Sequence, residues 1–235
     1  MSAFLSGFGA ILVYFALCVG AVLIFRRYGN PKHEVFRKTL HLILLLSLFV
    51  WVFAFPDWKT SCFAIVVFVV IVYPVLSVLQ GIKGYSELLT ERKPGEIRNS
   101  LLVVFGMFAV VIAVCWGYMG DKALIFACIY AWGFGDAVAA LVGKRFGRHF
   151  ITGRFVEGRK SLEGTAAMFT VTFVVVAGIL LMRGGIQWYG YLTIAALTAV
   201  VCAAVELFTR GGYDTITCPI AAGLVILPLV RVLTI

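Results

Sequence analysis

Apolar residues along the chain gather in eight long runs, near 3–25, 37–55, 60–80, 100–118, 122–143, 164–182, 188–208 and 216–232. Runs of about 17–25 apolar residues are long enough to cross the hydrocarbon core of a bilayer as helices. Charged residues collect in the short segments between them. The pattern predicts an all-α, polytopic transmembrane bundle of about eight spans with short loops and no soluble domain. Residues 1–235 are expected to form a single integral membrane domain. The runs at 37–55 and 216–232 are short, which predicts steep or partial insertion. Pro74 and Pro219 are expected to kink or break their helices. The first run has no basic stretch before it and is followed by Arg26 and Arg27, so it reads as a true span rather than a cleaved leader.

Composition supports this layout: 62% of the 235 residues are hydrophobic and only 13% are charged. A soluble surface carries far more charge. The formal charge of +9 changes the picture once it is distributed over the loops. Sixteen of the twenty Lys and Arg fall on one side of the eight-span layout, leaving Lys59, Lys122, Arg183 and Arg231 on the other. Basic loops stay in the cytoplasm, so the rich side is expected to be cytoplasmic and both termini outside. Nine of the eleven acids share that side, with only Asp57 and Asp121 opposite, so the chemistry is expected to face the cytoplasm. No basic helix with interleaved aromatics lies outside the spans, which argues against nucleic acid as a partner. The six cysteines sit in or beside apolar runs without a CxxC, so they read as small buried side chains and not as a metal site.

Several polar residues stand inside the apolar runs. Asp136 lies about seven residues, roughly 10 Å, inside the fifth run. Gly133, Ala139, Ala140 and Gly143 share its helical face, so the carboxylate points into the bundle, where another helix can approach closely. A carboxylate at that depth needs a cation, a metal or water, and is read as functional in preference to a structural ion pair or proton relay. Glu206 ends a small-residue face formed by Ala195, Ala199, Cys202 and Ala203; a functional carboxylate and one that merely reaches water are equally compatible readings. Asp214 follows Gly211-Gly212 and opens the last run, as an N-cap, a metal ligand or both. Arg37, Lys38 and His41 fall on one helical face, either as a headgroup anchor or as part of a site. The loop from Lys144 to Lys160 holds six cations, which suit phosphates, and glycines at 143, 147, 153 and 158 that let backbone approach a ligand. It is not a Walker A loop: Arg159 intrudes between Gly158 and Lys160, and no strand precedes it. The segment 91–99, ERKPGEIRN, turns at Pro94-Gly95, and its mixed charge permits a substrate-facing role.

Three segments, RKTLH (37–41), GDAVAALVGKRFG (135–147) with GRKSLEGT (158–165), and ELFTRGGYDTITCP (206–219), together resemble the CTP-dependent lipid-alcohol kinases, which act on dolichol, phytol, farnesol or diacylglycerol. The first looks like that family's RK-x-x-H. The second follows D-A-x-A…G-x-x-x-G…K-[ST]-x-E-G. The third follows E…D-N-x-x-x-P, with Thr215 in place of the usual Asn. The resemblance implies that Lys144, Arg148, Gly158, Arg159, Lys160 and Ser161 bind the nucleotide. It implies that Asp136, Glu163 and Asp214 hold Mg²⁺, Asp136 and Glu163 facing each other across the loop. Asp136, Lys160, Glu163 and His41 would be catalytic, with Arg37, Lys38, His41, Glu206 and Thr215 on the substrate side. CTP and a lipid alcohol, drawn from the surrounding membrane lipids, are the implied partners. Phosphatidate cytidylyltransferases share part of the second and third patterns and give the alternative reading. An ion-coupled transporter ranks last, because its acids belong near the midplane between inverted repeats, whereas here they gather at one face.

Overall fold

The computed structural model describes residues 2–82, 85, 95–153, 156 and 160–235. Among them are eight helices long and apolar enough to cross a membrane. They are α1 (Ser2–Gly29), α2 (His33–Phe53), α3 (Trp58–Leu79), α4 (Glu96–Ile112, continued as a π-helical turn over Ala113–Tyr118), α5 (Lys122–Phe146), α6 (Leu162–Arg183), α7 (Trp188–Phe208) and α8 (Asp214–Leu233). The chain is an all-α integral membrane protein, and the described residues form no soluble domain. The spans run beyond the apolar runs because charged residues continue the helices at their ends, as Arg26 and Arg27 do in α1 and Lys144 and Arg145 in α5.

Side-chain caps set several helix starts. Asp57 accepts from the backbone N of Thr60 at 2.9 Å, Asp121 from that of Ala123 at 2.9 Å, and Ser161 from that of Gly164 at 3.1 Å. The two runs expected to be short are full spans of 21 and 20 residues, because α2 starts at His33 and α8 at Asp214, each in polar sequence. Neither Pro74 nor Pro219 breaks its helix, and α8 also contains Pro228. A missing N–H within a span is tolerated where neighbouring helices and side chains re-satisfy the backbone.

The chain divides into two compact units, Met1–Tyr118 and Met119–Ile235. In the first, α1 packs on α2 and α3 on α4. Its core is aromatic: the rings of Trp51, Phe68 and Phe105 meet edge to face, with centroids 5.5, 5.6 and 5.3 Å apart. Most of α1 faces outward, with Leu12, Leu17 and Ile24 exposed, as suits a helix in contact with lipid.

In the second unit α5 packs on α6 and α8, and α7 on the same two, so four helices close a ring. The most buried span is α5, at 67% of its apolar window. Its small residues bring α6 close: a Cβ on Gly164 would stand 3.1 Å from the carbonyl oxygen of Ala139 and 3.4 Å from the Cα of Gly143. Deeper in the bundle, a Cβ on Gly135 would lie 2.4 Å from Met168 Sδ and 2.8 Å from Thr172 Oγ1. Thr172 is fully buried and donates to the carbonyl of Ala131 at 2.8 Å, so it cannot retreat freely. Gly135→Ala is therefore expected to destabilise the bundle by about 1–3 kcal/mol, as overpacking does. A melting temperature in detergent equal to wild type would show that the α5–α6 contact is not tight there.

One end of this unit is closed by ties away from the site. Arg183 donates to Asp121, the backbone N of Gln187 to the carbonyl of Leu233, and that of Ile235 to Gly185. At the other end a two-residue antiparallel ladder, β1 (Phe150–Ile151) with β2 (Lys160–Ser161), joins α5 to α6 in the register Phe150↔Ser161 and Ile151↔Lys160.

Candidate functional site

The site is built where β2 ends and α7 stops. Ser161 caps α6 and is 3% exposed, so β2 is fixed against the helix start. The residue before it, Lys160, reaches the last turn of α7. Its Nζ donates to the carbonyl oxygen of Glu206 at 2.7 Å and also to the Glu206 carboxylate. That carbonyl belongs to the C-terminal turn of α7, where unpaired carbonyls and the helix dipole both favour a cation. Glu206 itself is buried, at 8% exposure.

Two further acids act on this pair electrostatically. The charges of Asp136, on α5, and Asp214, in the first turn of α8, both act on Glu206, and all three carboxylates act on the buried thiol of Cys218. Asp214 does not cap α8. The N-cap is Tyr213, without a side-chain bond, and Asp214 instead accepts from the indole Nε1 of Trp132 at 3.3 Å. Thr215 sits beside it, half-buried, in the same turn. The Lys160–Glu206 pair thus stands in the field of two further carboxylates at a partly buried helix end.

Glu163 goes elsewhere. In the first turn of α6, it accepts from the backbone N of His149 at 3.3 Å, and from the His149 ring Nδ1 at 2.8 Å. Among the described residues no three His, Cys, Asp or Glu side chains group as a metal cage, so Asp136, Glu163 and Asp214 do not meet as a set of three. The His149 bonds hold Glu163 at the hairpin.

The loop cations divide. Lys144 lies exposed in the last turn of α5, and Arg148 is exposed in the turn that follows. Gly158 and Arg159 lie outside the described residues. The glycines at 143 and 147 serve packing: a Cβ on either would crowd Ser161 Oγ, at 3.2 and 3.0 Å, and one on Gly147 would also strike the carbonyl oxygen of Gly143 at 2.2 Å. The Ser161 hydroxyl is engaged as a cap.

Arg37, Lys38 and His41 belong to the first unit, on α2. Arg37 donates to Glu34 at 3.1 Å, and Lys38 is buried at 7% exposure. The segment 91–99 lies mostly outside the described residues.

Two participants carry no mark in the sequence. His149 faces Glu163 only because the hairpin register sets the carbonyl of His149 2.9 Å from the backbone N of Leu162. Trp132 meets Asp214 only because α5 and α8 pack together, 82 positions apart in the chain. The available signal for His149 was its type: it is one of three histidines, and it stands in the cation-rich loop.

No protein-family model matches the chain, and no solved structure does. Among curated proteins, the chain is similar to a phytol kinase of Synechocystis sp. (strain ATCC 27184 / PCC 6803 / Kazusa). The two are 28% identical over 228 residues, covering 92% of this chain and 88% of the relative.

Proposed function

We propose that this chain is a lipid-alcohol kinase, an alcohol-accepting phosphotransferase that moves the γ-phosphoryl group of a nucleoside triphosphate to a hydroxyl at the membrane surface. The donor is CTP, and the acceptor an isoprenoid alcohol such as phytol, farnesol or a polyprenol, or diacylglycerol. The site faces the cytoplasm, and both termini lie outside, on the strength of the sixteen cations gathered at one side. The relative's name supports the alcohol acceptor. The observation that carries the reading is the Lys160–Glu206 pair, set among Asp136 and Asp214 at a polar helix end.

Phosphoryl transfer asks mainly for positioning and charge neutralisation. The acceptor hydroxyl oxygen bonds to the γ-phosphorus, the bond from that phosphorus to the β–γ bridging oxygen breaks, and CDP leaves. The hydroxyl proton passes to a carboxylate of the cluster. Lys160, Lys144 and Arg148 supply positive charge near the phosphates. The donor set fits Mg²⁺, which is held by one or two carboxylates plus substrate phosphates rather than by a complete protein cage. Asp136 and Asp214 would hold it, with Glu206 paired to Lys160. When bound, Mg²⁺ neutralises charge on the phosphates.

The test uses CTP labelled at the γ position in one reaction and at the α position in another, with a panel of lipid alcohols and phosphatidate. Label is expected in the lipid fraction only from γ-labelled CTP with an alcohol. Label only from the α position, with phosphatidate, would make the chain a cytidylyltransferase.

A further inference from the structure

Val156 stands four residues before Lys160, and Arg210 four after Glu206. These two, with Gly211 and Tyr213, line an open cavity of about 380 Å³. Small-molecule pockets span roughly 300–1,000 Å³ and combine apolar and aromatic walls with a few placed polar groups. Here Val156 is the apolar wall, Tyr213 the aromatic one and Arg210 the cation. Gly211 and Gly212 hold φ of 63° and 80°, which glycine adopts without steric cost. Tyr213 is 65% exposed at the N-cap of α8, the last span. Tyrosines at a membrane edge commonly anchor headgroups. An anchor, however, needs no cavity, and Tyr213 directly precedes Asp214.

We propose that this cavity takes the nucleoside half of the nucleotide donor, with the base stacked on Tyr213 and bounded by Val156. The phosphates then run past Arg210 toward Lys160, Asp136 and Asp214. The inference rests on the nucleotide-dependent reading above and adds the α7–α8 turn to the donor site. A planar base stacks on a tyrosine face whatever its hydrogen-bonding edge, so Tyr213 supplies affinity for the nucleoside more than choice among bases.

Tyr213→Ala and Tyr213→Phe in the full chain test this. The structural work of Tyr213 runs through its carbonyl, which accepts from the backbone N of Ile216 and Thr217, both at 2.9 Å, and alanine keeps that group. In Tyr213→Ala, the KM for CTP is expected to rise roughly tenfold or more, as loss of one base–aromatic stack implies. The kcat and the KM for the lipid alcohol should stay within about twofold, and Tyr213→Phe should behave as wild type. Calorimetric titration with CTP should show the same loss of affinity without relying on turnover. Unchanged CTP affinity in Tyr213→Ala, or a rise confined to the KM for the alcohol, would overturn the subsite. A wild type that binds CTP without transferring phosphate, and loses that binding in Tyr213→Ala, would keep the subsite and overturn the kinase reading. A wild type that does not bind CTP would overturn both.

Discussion

Asp136→Asn is expected to lower phosphoryl transfer by at least about a hundredfold, the loss typical when one charge-stabilising group is removed from a preorganised site. The amide keeps the shape of the carboxylate, and the close approach of α6 to α5 runs past Gly135, Ala139 and Gly143. The melting temperature should therefore stay near that of wild type while turnover collapses. Measuring both on one preparation separates the roles. Near-normal turnover would make Asp136 a structural residue, and the metal assignment would then rest on Asp214 alone.

The second large effect belongs to the pair at the end of α7. Lys160→Met leaves Glu206 buried without its lysine, in the field of Asp136 and Asp214. Breaking a buried ion pair from one side costs about 3–5 kcal/mol; the Lys160 side chain keeps 24% exposure, which lowers the expected loss to about 2–3 kcal/mol. Glu206→Gln should be milder, because Lys160 retains the Glu206 carbonyl at 2.7 Å. The double variant Lys160→Met/Glu206→Gln should recover much of the stability lost in Lys160→Met, since no buried charge is left stranded, but it should recover no activity. Thermal unfolding of the four proteins gives the coupling energy directly. Additive effects would mean that the two side chains do not depend on each other.

The pair also shows how much of the site was legible beforehand. Lys160 and Glu206 were both visible as candidates, each from its own neighbourhood: a cation in a glycine-rich loop, and an acid ending a small-residue face. Their partnership was not, because it joins residues 46 positions apart through the packing of α6 on α7. Glu163 shows the converse. Its place in the first turn of a helix was readable from the sequence, but its partner was decided by the ladder register, which set His149 opposite it. The glycines at 143 and 147 look the same in sequence whether they admit a ligand or a neighbouring chain segment, and the fold uses them for the segment.

What the sequence determined by itself is the set of spans and the end of the bundle where the charges collect. Both follow from one-dimensional physics: a bilayer of fixed thickness demands apolar stretches of matching length, and it excludes charges one residue at a time. The start of α2 at His33 and the passage of α8 through Pro219 lay beyond that pattern, because a helix continues wherever its backbone finds partners. Only the tertiary structure decided which acid meets which cation. A pairing across helices depends on the rotation and depth at which each packs, set by contacts such as Gly135 against Met168 and Gly164 against Ala139. Those contacts brought Lys160 and Glu206, 46 positions apart, into one pair, a property that no stretch of the chain carries alone.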